Sequence, residues 1–211
     1  MKIAIFGATG KTGMELVPLA LDAGHTVKAL VRTPDKLGEL RAREGLEVIQ
    51  GDLLNGDDVH RCVEGVDAVV SAAGPVKGQT HDMIVKAANN ITSAMQAHSV
   101  SRIVWLTGAG VLMPEDPPSF SRALIRGIMG LVAGKVLAAS QQAAETVRDT
   151  GLEYTILRAP MLGEDESVGY VLSDTAPKPK PLPRVDLARA MLAQLGDEAR
   201  IKASPMIGVP A

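Results

Sequence analysis

Lys2-Ile3-Ala4-Ile5-Phe6-Gly7-Ala8-Thr9-Gly10-Lys11-Thr12-Gly13 is the stretch that decides the fold. A short apolar run, too brief for a helix, leads into glycines three residues apart. Apolar residues at helical spacing follow (Met14, Leu16, Val17, Leu19, Ala20), so the segment reads as strand, tight turn, helix. In such a turn Gly7 lets the chain bend sharply. Gly10 lets backbone N–H groups approach a pyrophosphate, and Gly13 lets the helix lie close on the strand. The anion then faces the positive end of the helix dipole. Thr9, Lys11 and Thr12 fill the turn and share this binding role. Glycines alone also mark ordinary turns; the strand before them and the helix after them give the motif its meaning.

Outward from this unit, apolar runs alternate with helical periodicity. Residues 26–31, 46–50, 66–71, 102–107 and 154–157 read as strands. Residues 34–43, 57–63 and 82–97 read as helices, and a long helical region ends near Asp149. Alternation of this kind predicts parallel pairing with right-handed crossovers, hence an α/β doubly wound sheet in a single domain. Runs such as Ile103-Val104-Trp105-Leu106 are apolar throughout, as strands covered on both faces should be. Beyond Arg158 the pattern loosens. Residues 168–172 are a possible strand, and the alternate prolines of 175–183 predict an extended surface segment. Residues 186–195 read as a closing helix and 201–207 as a possible edge strand. The single domain, 1–211, should carry a substrate-side region built from about 108–135 and 160–184.

Composition narrows the function. The chain has 211 residues, 46% hydrophobic and 22% charged, with a formal net charge of −2. That suits a soluble domain and argues against a nucleic-acid or membrane partner. The apolar stretch 123–139 is broken by Arg126 and Lys135 and is too short to span a bilayer. A single cysteine, Cys62, and no signal-peptide pattern predict a cytoplasmic setting. Aromatics at 2% disfavour a permanently held flavin, and no cluster suggests a metal. Monomer and homodimer both remain open.

The second strand ends Leu30-Val31-Arg32-Thr33, with no acid before Asp35. A carboxylate at this position binds the 2′-hydroxyl of NAD, whereas an arginine accommodates the 2′-phosphate of NADP. Hydrogen bonds to a charged group contribute ~1.5–3 kcal/mol, so Arg32 predicts roughly a ten- to hundred-fold preference for NADP(H) over NAD(H).

These residues carry a family resemblance. With Gly51-Asp52-Leu53, Ala72-Ala73-Gly74, Leu106-Thr107 and Thr155-Ile156-Leu157-Arg158 in order, the chain resembles an atypical short-chain dehydrogenase/reductase. The similar branch is the Rossmann-like NAD(P)H-binding one of NmrA-like proteins and the flavin reductase/biliverdin-IXβ reductase. The resemblance implies that Asp52 and Leu53 meet the adenine and that Ala73 and Gly74 line the cofactor ribose. It places Thr107 and the Ala159-Pro160 turn near the nicotinamide.

One departure matters. Many members deliver a proton from a Tyr-x-x-x-Lys pair on the helix before the sixth strand. This chain's two tyrosines are Tyr154 and Tyr170, and Leu137 and Gln141 read as the occupants of the pair's positions. The serine that the flavin-reductase relatives carry after the fifth strand is absent too. Thr107 and His81 are the remaining candidate acids; Lys135, His25, His60 and His98 read as structural or solvent-facing. Loss of a positioned acid costs a simple ketone reduction ~10²–10⁴-fold. A conjugated acceptor such as a flavin or quinone spreads the developing charge and takes its proton from water. The leading expectation is therefore an NADPH-dependent oxidoreductase acting on a small conjugated acceptor. The alternative is a non-catalytic NADP(H)-binding redox sensor of NmrA-like type. A sugar-nucleotide epimerase is disfavoured, since those relatives retain the pair. The apolar stripe around 120–139, interrupted by Gly127, Gly130 and Gly134, fits a buried helix, a flap over the cleft or a subunit surface.

Overall fold

The computed structural model describes residues 1–74, 80, 82–116, 120–175 and 180–210, with backbone alone for 120–133. The strands are β1 (Lys2–Phe6), β2 (Thr26–Val31), β3 (Leu46–Gln50), β4 (Ala68–Ser71), β5 (Arg102–Gly108) and β6 (Glu153–Ala159), then β7 (Leu162–Gly163), β8 (Val171–Ser173), β9 (Leu182–Pro183) and β10 (Met206–Gly208). The helices are α1 (Lys11–Asp22), α2 (Gly56–Val63), α3 (Met83–Ala97), α4 (Phe120–Asp149) and α5 (Arg184–Ala193).

Eight strands form one sheet in the order β3-β2-β1-β4-β5-β6-β10-β8. It is parallel except for β8, which runs antiparallel to β10. β1 lies between β2 and β4, so the winding reverses direction there. The crevice outside the carboxyl ends of β1 and β4 is where doubly wound sheets take their ligands. Strand alternation sorts the core into two layers. Ala4, Phe6, Val69, Ile103, Trp105 and Ile156 face α2, α3 and α4. Ile3, Ile5, Val70, Val104 and Leu157 face α1 and α5. Two covered faces explain why these strands carry so few polar residues.

Four sequence expectations are corrected. Residues 34–43 are not an α-helix: Pro34–Ala42 is 3-10 helix, kinked at Gly38 (φ 55°, ψ −133°). A kink at positive φ divides a segment whose only buried residue is Leu37. The candidate edge strand near 201–207 is β10, an interior strand between β6 and β8. The expected strand at 168–172 is the three-residue β8 at the sheet edge. Finally, the proline segment is not a surface strand to its end. Leu182 is wholly buried and pairs with Leu162, because β9 lays its leucine into the α1/α5 layer. Residues 176–179 of that segment, and the side chains of 120–133, lie outside the described residues. Among the described residues no helix is long and apolar enough to cross a membrane.

Candidate functional site

The turn after β1 is built as the glycine spacing predicts, and the three glycines divide their tasks. Gly7 adopts φ +82°, and a Cβ there would fall 2.7 Å from the Ala73 nitrogen; the loops after β1 and β4 are in contact. A Cβ on Gly13 would fall 2.1 Å from the Gly7 carbonyl oxygen, so the first turn of α1 rests directly on the β1 turn. Gly10 differs. Its only close neighbour would be the Gly7 oxygen at 3.1 Å, and it lines the cleft. Gly7 and Gly13 therefore serve the fold, while Gly10 keeps the approach to α1 clear. Gly10 is the N-cap of α1, with no side-chain cap and no acid in the first turn. The first N–H groups of the helix are thus available to an anion.

Gly7, Thr9, Gly10, Arg32, Asp52, Leu53, Ala73 and Gly74 all line one cleft of about 910 Å3, partly open solvent. Thr12 and Gly13 are buried in the first turn of α1. Lys11 points elsewhere: its Nζ donates to Glu164 Oε1 at 2.7 Å. The same oxygen accepts from Arg184 at 2.8 Å. The Lys11 hydrogen bond, reinforced by Arg184, holds the Glu164 carboxyl below its ordinary range.

At the adenosine end Arg32 is joined by Lys36 in the lining. Asp35, the nearest acid in sequence, is engaged by Arg41 at 2.9 Å. Among the described residues neither Arg32 nor Lys36 forms an ion pair. Opposite them, the 52–55 turn is held from several sides. The Asp52 amide donates to Asp58 Oδ2 at 2.8 Å, and Asp52 Oδ1 accepts from the Leu54 amide at 2.9 Å. That backbone bond, then Arg61, holds the Asp58 carboxyl below its usual range. Asn90 of α3 donates to the Leu53 carbonyl at 2.9 Å.

Ala73 and Gly74 also line a second space of about 580 Å3 at the ends of β5 and β6. Thr107, Ala159 and Pro160 border it, with Ile84, Trp105, Leu106, Gly108, Leu162 and Ser140. No titratable side chain is among them. The surrounding backbone is braced by polar groups that stay outside the lining. Arg158, 1% exposed, donates through Nε to the Ser204 carbonyl at 2.8 Å and through an amino group to Asp116 Oδ2 at 2.6 Å. Gln141 brackets Leu112, accepting from its amide at 2.9 Å and donating to its carbonyl at 2.8 Å. Asp186, wholly buried, accepts from the Val168 amide at 2.8 Å.

Neither residue read as an occupant of the catalytic pair's positions is among the described residues that line this space. Leu137 packs against the core and Gln141 is taken up by the loop. Ser140 is the α4 residue in the lining, and one turn before it stands Val136. Neither a tyrosine nor a lysine stands at positions 136, 137, 140 or 141 of α4. His81 lies outside the described residues. His60 and His98 meet ring edge to ring, centroids 5.4 Å apart. No group of three or more potential metal ligands occurs among the described residues. Sequence reasoning missed Ser140, Lys36 and Glu164. For Lys36 a signal existed, a second cation four residues after Arg32.

Comparison with known proteins places this geometry. The chain is 33% identical over 118 residues to the uncharacterized protein YwnB of Bacillus subtilis, a match covering 55% of the chain and 51% of that relative. The chain thus spans about half of that relative's length. Among solved structures it superposes on ChuY, an anaerobilin reductase from Escherichia coli O157:H7. The TM-score is 0.82 at 19% identity, over 100% of this chain and 98% of that one. It also superposes on a short-chain dehydrogenase/reductase from Veillonella parvula in complex with NADP. There the TM-score is 0.79 at 21% identity, over 100% and 95% of the two chains. At such identities these likenesses speak for the fold, a Rossmann fold. The profile of the NAD(P)H-binding family matches residues 7–198, so the glycine turn and the crevice above β1 and β4 are those of a member: the chain belongs to the NAD(P)H-binding family.

Proposed function

We propose that this chain is an NADPH-dependent oxidoreductase of the cytoplasm that passes hydride to a small conjugated acceptor. The observation that carries the reading is the second half of the cleft. It continues from the dinucleotide half through Ala73 and Gly74, and none of the described residues that line it carries a titratable side chain. The nicotinamide ring supplies the hydride when the cofactor is bound. The protein's part is to hold the dinucleotide and to keep the reacting face apolar. Gly10 admits the pyrophosphate to the start of α1, and the 52–55 turn meets the adenine. Arg32 and Lys36 meet the 2′-phosphate. Thr107 and Pro160 stand at the nicotinamide end, with the flanking segments of about 108–135 and 160–184 forming the acceptor side.

With no acid among the described residues of the lining, the acceptor on this reading is one that tolerates the added negative charge until water protonates it. A flavin or quinone does so by delocalisation; an isolated ketone does not. NADPH oxidation in the presence of flavins, quinones and simple ketones tests this. Turnover is expected with the conjugated compounds and at least ~10²-fold less with the ketones, the scale of a missing general acid. Efficient ketone reduction would overturn the reading. The same lack of an acid also favours a second reading, a non-catalytic NADP(H)-binding sensor. NADPH binding without oxidation by any conjugated acceptor would select it.

A further inference from the structure

The turn after β3 is held by a residue that does not itself border the cleft. Gly51, Asp52, Leu53 and Leu54 line the space, and Asp58 of α2 is not among the lining residues. Asp58 acts on the backbone of the turn. Its Oδ2 accepts from the Asp52 amide at 2.8 Å, and its Oδ1 accepts from Arg61 at 2.6 Å. Arg61 also donates to the Gln50 carbonyl at 3.2 Å, so one guanidinium ties the carboxylate to the end of β3. Gly51 completes the fit. A Cβ there would fall 2.6 Å from Asp58 Cγ and 2.7 Å from Asp58 Cβ; the carboxylate comes this near only because position 51 has no side chain. The helix that carries Asp58 is anchored at both ends. Asn55 caps its start, accepting from the Asp57 amide at 3.0 Å. Lys28, its side chain 8% exposed, reaches from β2 to the other end. It donates to the Arg61 and Glu64 carbonyls at 3.0 and 2.9 Å, where a helix leaves carbonyls without partners.

What this support governs is the use of the Asp52 carboxylate. Its Oδ1 accepts from the Leu54 amide at 2.9 Å, and among the described residues its Oδ2 accepts no hydrogen bond. An ionised carboxylate only accepts. The ring nitrogens of adenine also only accept, so the 6-amino group is the donor such a carboxylate can meet. Hypoxanthine presents an oxo group at the same place. Discrimination of this kind depends on where the backbone of residues 51–53 stands, since a contact is only as precise as the groups that hold it. That backbone is fixed by Asp58. We infer that Asp58 is a positioning residue for base selection: through the Asp52 amide and the contact with Gly51 it sets the turn so that the Asp52 carboxylate meets the amino group of adenine. The inference rests on the dinucleotide reading of the cleft, and in it Asp58 touches no part of the cofactor.

The test compares NADPH with the reduced nicotinamide hypoxanthine dinucleotide phosphate, in which the amino group of the base is replaced by oxygen. Dissociation constants for both are measured by fluorescence titration. The proteins are the parent chain, Asp58→Ala, Asp58→Asn and Gly51→Ala. The parent should prefer NADPH by roughly ten-fold or more, the scale of a hydrogen bond to a charged group. In Asp58→Ala the preference should fall below about three-fold, the scale of less than one neutral hydrogen bond, chiefly through weaker NADPH binding. Asp58→Asn keeps an acceptor for the Asp52 amide and should retain most of the preference. Gly51→Ala keeps both carboxylates but pushes Asp58 off the turn. It should lose the preference as Asp58→Ala does, and it decides the matter if Asp58→Ala does not fold. Equal losses for the two dinucleotides, with their ratio kept, would assign Asp58 a merely structural role and overturn the proposal. A parent chain that binds both equally well would overturn it too, with the cofactor reading intact. A parent chain that binds neither would remove the dinucleotide reading itself, and the proposal with it.

Discussion

The two halves of the cleft are made by different means. The dinucleotide half comes mainly from one βα unit and the loops beside it. Backbone geometry at Gly7, Gly10 and Gly13 shapes it, and the unpaired cations Arg32 and Lys36 give it charge. The acceptor half is assembled from distant parts of the chain. Thr107, Ser140 and Leu162 meet there, and its walls are tied by contacts such as Arg158 to Asp116. The first half is a charged cradle whose ligand chemistry is written in the backbone. The second is an apolar space whose shape depends on packing. On the proposed reading, ligand affinity and reaction type are set in different places, so substitutions should separate them.

The sharpest break is at Gly10. Gly10→Val should keep the circular dichroism of the folded chain with a modest loss in melting midpoint, because among the described residues its Cβ meets one atom, the Gly7 oxygen at 3.1 Å, which must give by a few tenths of an ångström. Its side chain would stand in the pyrophosphate's path, so dinucleotide binding should vanish at NADPH concentrations that saturate the parent. Retained binding in a folded variant would mean that the cofactor lies elsewhere. Gly13→Ala tests the opposite task. Its Cβ meets the Gly7 oxygen at 2.1 Å, with Ala8 backbone atoms at 2.6 Å, and nothing there is the end of a flexible side chain. Overpacking of this kind should cost about 3 kcal/mol or more, lowering the melting midpoint of a 211-residue chain by roughly 6–12 °C. An unchanged midpoint would show that the turn is looser than its contacts indicate.

What could be read in advance follows the same division. Glycine spacing, the strand before it and Arg32 are local signals, and the structure brings Gly7, Gly10, Arg32, Asp52 and Ala73 to one cleft. Ser140 carries no local signal, since neighbouring residues of a helix point about a quarter turn or more apart and packing alone decides which of them meets the cleft. Leu137 and Gln141 serve the core and the loop instead. The Lys11–Glu164 ion pair joins residues 153 apart, a distance over which no local pattern operates. β9 was hidden because alternate prolines disguise a segment whose one leucine is buried by tertiary packing. β10 looked like an edge strand because no local pattern tells that β8, expected over 168–172, pairs antiparallel on its outer side.

A smaller effect is expected at Arg32. Arg32→Ala should weaken NADPH binding by roughly ten-fold or more, the scale of a hydrogen bond to a charged group, and leave NADH nearly unchanged. Lys36→Ala should show the same selectivity with a smaller loss. Parallel titrations with both cofactors decide it, and equal losses for the two would sink the 2′-phosphate assignment.

The smallest effect is predicted in the acceptor half, and it bears most directly on the chemistry. If water protonates a conjugated acceptor after hydride transfer, no side chain at the cleft is indispensable to the rate. Thr107→Ala and His81→Ala should each slow single-turnover NADPH oxidation by less than about ten-fold at saturating NADPH, below the ~10²–10⁴ range of a true general acid. Saturation matters, because Thr107 borders the cleft and a loss of cofactor affinity must be kept apart from a loss of rate in the bound complex. The expectation follows from a lining in which Ile84, Trp105 and Leu162 accompany Thr107 and none of the described residues is titratable. A thousand-fold loss from either substitution, with cofactor affinity intact, would reveal a dedicated acid. The contrast between a charged cradle and an acid-free apolar half would then fail, and simple ketones and aldehydes would become the expected substrates.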